Sequence, residues 1–163
     1  MKTDIVDAVN KLKEYVQQFL LSPERWSTLD IPVYEWQSIH FAEGNAVSIP
    51  KTRGIYCFVV KCNSELVPSH GYIMYVGITG NENKRTLRDR YREYVREMVR
   101  AKRYNIHYML NMWENHLYFN FIEVHDTSVD LSKIERNLIS ALFPPYNTTD
   151  FLGDLRKIGE AAW

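Results

Sequence analysis

Five side chains of this sequence have the types that metal-assisted chemistry on a phosphodiester requires: two phenols, a guanidinium, a carboxylate and an amide. They are Tyr56, Tyr75, Arg90, Glu135 and Asn147, in that order along the chain. A carboxylate can hold a divalent cation, and a guanidinium can bind two phosphate oxygens at once. They form a site only if the elements that carry them bring them together.

Tyr56 and Tyr75 each lie two residues from a glycine, Gly54 and Gly77 respectively. Both tyrosines are predicted on the strands of one hairpin, where cross-strand neighbours approach closely. Glycines in such positions let a backbone or a ligand come near. A phenol is a poor base at neutral pH, because its ordinary pKa is about 10, so it would need a nearby cation or metal-bound water. Each tyrosine alone is equally typical of a strand residue with a buried ring and a solvated hydroxyl.

Arg90 is the cation whose position best fits the binding of a phosphate. It follows Leu87 by three residues, at the edge of the apolar face of a predicted helix. Tyr94, one turn further on, is expected to share its exposure. Arg85 and Arg88 remain alternatives, and any single arginine of this segment is also typical of a solvated surface.

Glu135 lies early in the last predicted helix, next to apolar residues. A carboxylate there is costly unless it is paired or bound to a metal, and one carboxylate with water suits Mg²⁺. The simpler interpretation is a glutamate favoured by the helix dipole. Asn147 follows two prolines and can turn back towards the site, although an asparagine at this place is also typical of a turn.

The net charge of the chain is zero, yet its cations are concentrated in one segment. Residues 84–103 contain nine Lys and Arg against three Asp and Glu, a net of +6. Such a stripe can meet a phosphate backbone, and it includes the candidate nucleic-acid-binding residues Arg85, Arg88, Arg92 and Arg96. Charge alone favours a solvated helix face with internal salt bridges.

The composition is that of a globular protein of one domain. The chain has 163 residues, of which 45% are hydrophobic and 25% charged. No apolar run approaches the ~20 residues of a membrane span, and the N-terminus lacks a secretion signal, so a cytoplasmic location is expected. Cys57 and Cys62 are expected to be buried and reduced, because odd spacing on one strand places them on opposite faces.

Periodicity predicts an α+β fold with a small three-stranded antiparallel sheet flanked by helices. The predicted strands are 54–62, 72–79 and 117–124, and the predicted helices are 4–20, 86–103, 105–115 and 131–142. Thr86, with Asp89 three residues later, and Asp130 are expected to cap helices.

This pattern of predicted elements divides the chain into three parts. Residues 1–50 are predicted to form an N-terminal helix and an extension of loops and short strands packed on the core. Residues 51–150 form the core domain, and residues 151–163 a tail with a short helix.

The order and spelling of the chemical motifs resemble the GIY-YIG nuclease superfamily. The motifs are Gly54-Ile55-Tyr56, Tyr75-Val76-Gly77, Leu87-Arg88-Asp89-Arg90, Glu135-Arg136-Asn137-Leu138-Ile139 and Pro145-Tyr146-Asn147. The last two are most similar to the N-terminal nuclease domain of the bacterial excision-repair incision enzyme. The set is fairly specific, whereas either tripeptide alone is weak.

This resemblance implies a DNA endonuclease that uses Mg²⁺ or Mn²⁺ and leaves 5′-phosphate and 3′-hydroxyl ends. The resemblance also implies a metal-binding role for Glu135 and catalytic roles for Tyr56, Tyr75, Arg90, Tyr94 and Asn147. It also implies the GIY-YIG arrangement of the sheet and helices.

The chain departs from the family pattern at three places. Eighteen residues separate Tyr56 from Tyr75, which predicts an extended hairpin loop. Additional residues before the helix leave the choice between Arg85 and Arg90 open. Ile78 stands where several members carry a lysine, so activation of a base would fall to the metal or to a neighbouring cation.

These departures keep an alternative function open: a non-catalytic nucleic-acid-binding module of the same fold. In a third interpretation, the acidic residues 1–50 dock another protein. The sequence shows no zinc finger, helix-turn-helix signature or coiled coil beside the candidate nuclease that could select its DNA. A homodimer or a partner protein could supply this selection.

Overall fold

The computed structural model describes residues 5–32, 34–62 and 66–147 of the chain. The helices of this part are α1 (Ile5–Lys13), α2 (Pro23–Ser27), α3 (Leu87–Arg100), α4 (Tyr104–Met112) and α5 (Leu131–Leu142). The strands are β1 (Gln37–His40), β2 (Gly54–Cys62), β3 (His70–Thr79) and β4 (Leu117–Glu123). Two 3₁₀ helices cover Glu43–Ser48 and Glu114–His116. The predicted α+β class is confirmed.

The sheet has four strands in the order β1-β4-β2-β3, and every neighbouring pair is antiparallel. The predicted three-stranded sheet is therefore wrong by one strand, because β1 pairs with β4 and places Ile39 opposite Phe119. A strand of four residues with one apolar residue gives a weak local signal, and its hydrogen bonds come from a distant segment. β3 is the outer strand at the opposite side of the sheet.

The long spacer between Tyr56 and Tyr75 is accommodated by longer strands as well as by the connection between them. β2 and β3 stay paired beyond the two tyrosines as far as Cys62 opposite His70, with one shift of register between Phe58 and Val59. The predicted bounds of β2 are confirmed, and β3 begins two residues earlier than predicted.

Each face of the sheet has its own apolar core. One face carries Tyr56, Phe58 and Phe119 and is covered by α3 and α4. The other face carries Ile55, Cys57, Val59, Val76 and Ile122 and is covered by α5. Successive residues of a strand point to opposite faces, so the GIY motif contributes to both cores.

Both cysteines are free. Burial raises the pKa of the Cys57 thiol to about 12, with Asn120 and Lys61 acting in the opposite direction. Cys62 is exposed, so the prediction that both thiols are buried is wrong for this residue.

The N-terminal region contributes to the sheet and to the core. Phe41 and Ile49 are fully buried against the α3 face of the sheet. Helix α1 ends earlier than predicted and contains no buried residue. The tail predicted at 151–163 lies outside the described residues.

Candidate active site

The two motif glycines make room for internal contacts of the protein. Gly77 lies directly opposite Tyr56 in the hairpin, and a Cβ atom on Gly77 would lie 2.6 Å from Cζ of that tyrosine. A Cβ atom on Gly54 would meet the carbonyl oxygen of Ile122 in β4 and the side chain of Leu87 in α3. The glycines therefore let a side chain and a neighbouring strand approach closely, as the sequence analysis expected for a backbone or a ligand.

Helix α3 is fixed at its N-terminus by a capping box, as predicted. The Thr86 hydroxyl accepts a hydrogen bond from the backbone N–H of Asp89, and the Asp89 carboxylate accepts one from the backbone N–H of Thr86. The backbone N–H groups of Leu87 and Arg88 donate to carbonyl groups of Thr52 and Pro50, just before β2. These contacts set the first turns of α3 above the start of β2.

Arg90 consequently lies against the Tyr56 hydroxyl. Its Nε–H donates a hydrogen bond to the Tyr56 oxygen over 2.9 Å. The Tyr56 and Tyr94 hydroxyls are hydrogen-bonded to each other, also at 2.9 Å. The structure therefore brings Tyr56, Arg90 and Tyr94 into one hydrogen-bonded group, which we call the Arg90 cluster.

Tyr94 is fully buried, whereas about a fifth of the Arg90 side chain is exposed. The prediction that the two residues share their exposure is wrong. The Tyr94 ring packs edge-on against Phe58 at 4.8 Å between centroids, so it belongs to the core. The buried residues of α3 are Leu87, Tyr91, Tyr94 and Glu97, whereas Val99 near the end of the helix is 85% exposed.

The two motif tyrosines have different environments. Burial, together with the phenols of Tyr94 and Tyr75, raises the pKa of Tyr56 well above its usual value, although Arg90 acts in the opposite direction. Tyr56 therefore stays protonated at neutral pH and acts through hydrogen bonds. Tyr75 is only partly buried, and its ring centroid lies 6.4 Å from that of Tyr56. Of the two phenols, that of Tyr75 is the more accessible to a water molecule.

Glu93 connects the two rival arginines. Its carboxylate accepts a hydrogen bond from Nη1 of Arg90 over 2.7 Å and lies 3.4 Å from Nε of Arg85. Arg85 is more than half exposed, and among these described contacts only Arg90 reaches Tyr56. The geometry therefore favours Arg90 over Arg85 as the arginine next to the phenols.

Asn147 is completely buried and hydrogen-bonds to the backbone of β3. Its Oδ1 accepts from the N–H of Val76 over 2.8 Å, and its Nδ2 donates to the C=O of the same residue over 2.9 Å. The neighbouring Tyr146 N–H donates to the carbonyl oxygen of Met74. Asn147 thus turns back onto the strand that carries Tyr75, and these contacts fix the backbone on either side of that residue.

Glu135 lies on α5, whose predicted bounds and Asp130 cap are confirmed. This helix packs on the face of the sheet opposite to α3, so Glu135 and Arg90 belong to different layers. The outer strand β3 lies between these layers, and α5 packs against it.

The donor set for a metal ion is a single partly buried carboxylate. Among residues 5–32, 34–62 and 66–147, no group of three or more His, Cys, Asp or Glu side chains could hold a metal. Glu135 with water and phosphate oxygens fits Mg²⁺, which keeps much of its hydration shell, and it does not fit a metal that needs several protein ligands.

The predicted nucleic-acid-binding arginines occupy different environments. Arg88 donates from Nε to the Ile49 carbonyl over 2.6 Å and from Nη2 to the Val47 carbonyl over 2.9 Å, so its guanidinium holds the end of the 3₁₀ helix Glu43–Ser48. Arg92 and Arg96 are exposed on α3.

A shallow basin of the surface runs from the Arg90 cluster along α3 to the start of α4. We call it the basic basin. It is lined by Arg85, Arg90, Glu93, Arg96, Glu97, Arg100, Lys102 and Arg103. Six cations against two carboxylates give this surface a positive charge on a protein whose net charge is zero.

Sequence reasoning missed Glu97 and Arg103 as members of the site. Glu97 is 7% exposed, and its carboxylate accepts a hydrogen bond from the backbone N–H of Arg103 at the start of α4. The guanidinium carbon of Arg103 lies 4.9 Å from the centroid of the Tyr94 ring. The signal that could have revealed Glu97 is its helical spacing from Leu87, Tyr91 and Tyr94.

Comparison of the chain with protein-family models, with curated proteins and with solved structures finds no match in any of the three. Within the described part of the chain, no helix has both the length and the apolar character to cross a membrane.

Proposed function

We propose that the protein is a metal-dependent DNA endonuclease that hydrolyses phosphodiester bonds to give 5′-phosphate and 3′-hydroxyl ends. The observation that supports this proposal most strongly is that the Arg90 cluster lies at one end of the basic basin. A guanidinium fixed by a buried phenol suits the binding of one phosphate, and the adjoining cations suit a polyanion.

Each residue has a separate role in this reaction. The oxygen of a water molecule forms a bond to phosphorus and the water gives up a proton to solvent. The bond from phosphorus to O3′ breaks, and O3′ takes up a proton from solvent. Arg90 binds the non-bridging oxygens and stabilises the negative charge that develops on them. Tyr75 hydrogen-bonds the attacking water, while Tyr56 stays protonated and, together with the Tyr94 ring, holds Arg90 in place.

Mg²⁺ or Mn²⁺, when bound, stabilises the charge on the leaving oxygen as a Lewis acid. Glu135 is the residue that would hold the ion. Asn147 acts indirectly, since it fixes the backbone of β3 next to Tyr75.

The test is the incubation of labelled branched, single-stranded and duplex DNA with the purified protein in Mg²⁺, Mn²⁺ or EDTA. We expect metal-dependent cutting that falls about 100-fold or more in Arg90→Ala and Glu135→Ala. Lys11→Ala and Glu114→Ala remove the same charges at exposed positions outside the site and should retain activity. Circular dichroism of every variant verifies that it is folded.

Two results would count against the proposal. Equal activity of the wild type and Glu135→Ala would remove the metal-binding role of this residue. The absence of cutting on all three substrates with both metals would remove the endonuclease.

The second candidate function is a non-catalytic nucleic-acid-binding module. It is favoured by the ion pair between Glu93 and Arg90, because this carboxylate occupies one side of the guanidinium that a phosphate would need. Binding that weakens steeply with salt, without metal-dependent cutting, would support this alternative.

A further inference from the structure

Two tyrosines stand on the outer face of α4. Tyr104 is 75% exposed and Tyr108 is 47% exposed. They are four residues apart and therefore neighbours on one side of the helix. The buried residues of α4, which are Ile106, Met109 and Leu110, lie on its other side. The two rings consequently form an aromatic surface that the core of the protein does not use.

This surface begins where the basic basin ends. Tyr104 directly follows Arg103, whose guanidinium lies over the ring of Tyr94 in the Arg90 cluster. The backbone N–H of Arg103 is held by Glu97, and the His107 ring donates from Nδ1 to the carbonyl oxygen of the same glutamate over 3.0 Å. Helix α4 is therefore fixed against the end of α3, and its two tyrosines have a defined place beside the cations.

The other end of the surface approaches β3. Tyr146 packs against the core cluster that includes Met109 and Leu110 of α4. Burial raises the pKa of Tyr146, and the phenol of Tyr108 acts in the same direction. The backbone N–H of Tyr146 donates to the carbonyl oxygen of Met74, the residue before Tyr75. The aromatic surface thus connects the basic basin with the strand that carries the more accessible motif tyrosine.

We infer that Tyr104 and Tyr108 form a stacking platform for unpaired bases of a DNA strand whose phosphates lie in the basic basin. This inference rests on the proposed function and adds a substrate class: single-stranded DNA, or the single-stranded arm of a branched DNA. Exposed aromatic rings beside a cationic groove are the two elements that bind single strands without a sequence requirement. A duplex offers its phosphates to the basin, but its base faces are covered by their neighbours in the stack.

The test measures binding of the full chain in EDTA, where no cutting occurs. The ligands are labelled oligonucleotides of equal length: a single strand, a duplex, and a single strand of abasic sugar-phosphate. We expect the wild type to bind the single strand more tightly than the abasic strand. The double variant Tyr104→Ala, Tyr108→Ala should bind the single strand at least about ten-fold more weakly than the wild type does.

Three further variants separate stacking from charge and from folding. The double variant Tyr104→Phe, Tyr108→Phe keeps both rings and should bind as the wild type does. Trp36→Ala removes an exposed aromatic ring beside β1, at the other edge of the sheet, and should have no effect. Arg100→Gln should reduce the salt dependence of binding, whereas the tyrosine variants should leave it unchanged.

The platform and the endonuclease can fail separately. Unchanged affinity and unchanged cutting in the double alanine variant would overturn the platform and leave the endonuclease intact. Base-dependent binding without cutting would support the platform and remove the endonuclease. If the wild type is a dimer and the double alanine variant is a monomer with unchanged DNA affinity, this face binds a second copy of the chain. That result would overturn the platform.

Discussion

Gly77 lies directly opposite Tyr56 in the β2–β3 hairpin, and the tyrosine ring occupies the space above the glycine where a side chain would stand. The two tripeptide motifs are therefore one packing unit, in which the glycine of the second motif accommodates the tyrosine of the first. Because the same tyrosine accepts the hydrogen bond from Arg90, the absence of a side chain at Gly77 also determines where the guanidinium lies.

Gly77→Ala should displace the Tyr56 ring and disturb the Arg90 cluster. We expect a loss of about 1–3 kcal/mol in the free energy of unfolding, as for other overpacked cores, measured by urea denaturation. Gly44→Ala is the matched control, because a Cβ atom at Gly44 meets no atom within 4 Å. Equal destabilisation by the two substitutions would contradict the steric relationship.

Tyr56→Phe should make the protein less sensitive to alkaline pH. The pKa of an unfolded tyrosine is about 10, and burial raises that of Tyr56 in the folded protein. Above about pH 10, the unfolded chain releases the tyrosine proton while the folded protein retains it. The stability from this group is therefore complete below about pH 10 and is lost as the pH rises towards the folded pKa.

Phenylalanine carries no such proton, so the free energy of unfolding of Tyr56→Phe should fall less steeply than that of the wild type above about pH 10. The measurement is urea denaturation of both proteins at a series of alkaline pH values. Parallel curves would show that the Tyr56 proton is not held more tightly in the folded protein.

Arg88 and Arg92 should respond differently to the same substitution. Arg88→Ala removes two hydrogen bonds to the carbonyl groups of Val47 and Ile49, and should cost about 1–2 kcal/mol of stability. Arg92 is exposed, and Arg92→Ala should change stability by no more than about 0.5 kcal/mol. Since each substitution removes one cation from α3, net charge is matched, and equal thermal stability of the two variants would contradict the structural role of Arg88.

Asn147→Ala should destabilise the protein although it removes only a small polar side chain. The N–H and C=O groups of Val76 would lose the partners that Asn147 provides, and we expect a loss of about 2 kcal/mol or more by chemical denaturation. The control is Asn115→Ala at an exposed position. If both variants were as stable as the wild type, the hydrogen bonds of Asn147 would not support β3.

Elements with strong local signals could be predicted from the sequence. The starts of α3 and α5 follow from Thr86 and Asp130, because a cap uses only residues within one turn. The hairpin follows from two β-rich runs close in sequence. Strand β1 could not be predicted as part of the sheet, since its own pattern is weak and it pairs with a distant segment, for example Ile39 with Phe119.

The sequence predicted which residues the candidate site brings together better than it predicted their burial and contacts. The motif order singled out Tyr56, Arg90 and Tyr94, which the structure brings together. The burial of Tyr94 could not be read from its spacing to Arg90, because residues on one side of a helix differ in depth according to what packs against them. The hydrogen bonds of Asn147 to Val76 depend on how the chain turns after α5, for which no local rule exists.

The contacts of Asn147 and Tyr146 with β3 also have a consequence for the behaviour of the protein at high concentration. An outer strand with free N–H and C=O groups is a template onto which a strand of another molecule can add. Three such groups, the C=O of Met74 and the N–H and C=O of Val76, are already engaged by the chain itself. Another strand cannot pair with these three groups unless the contacts of Asn147 and Tyr146 are first broken, so we expect Asn147 to hinder edge-to-edge association here as well as to position Tyr75.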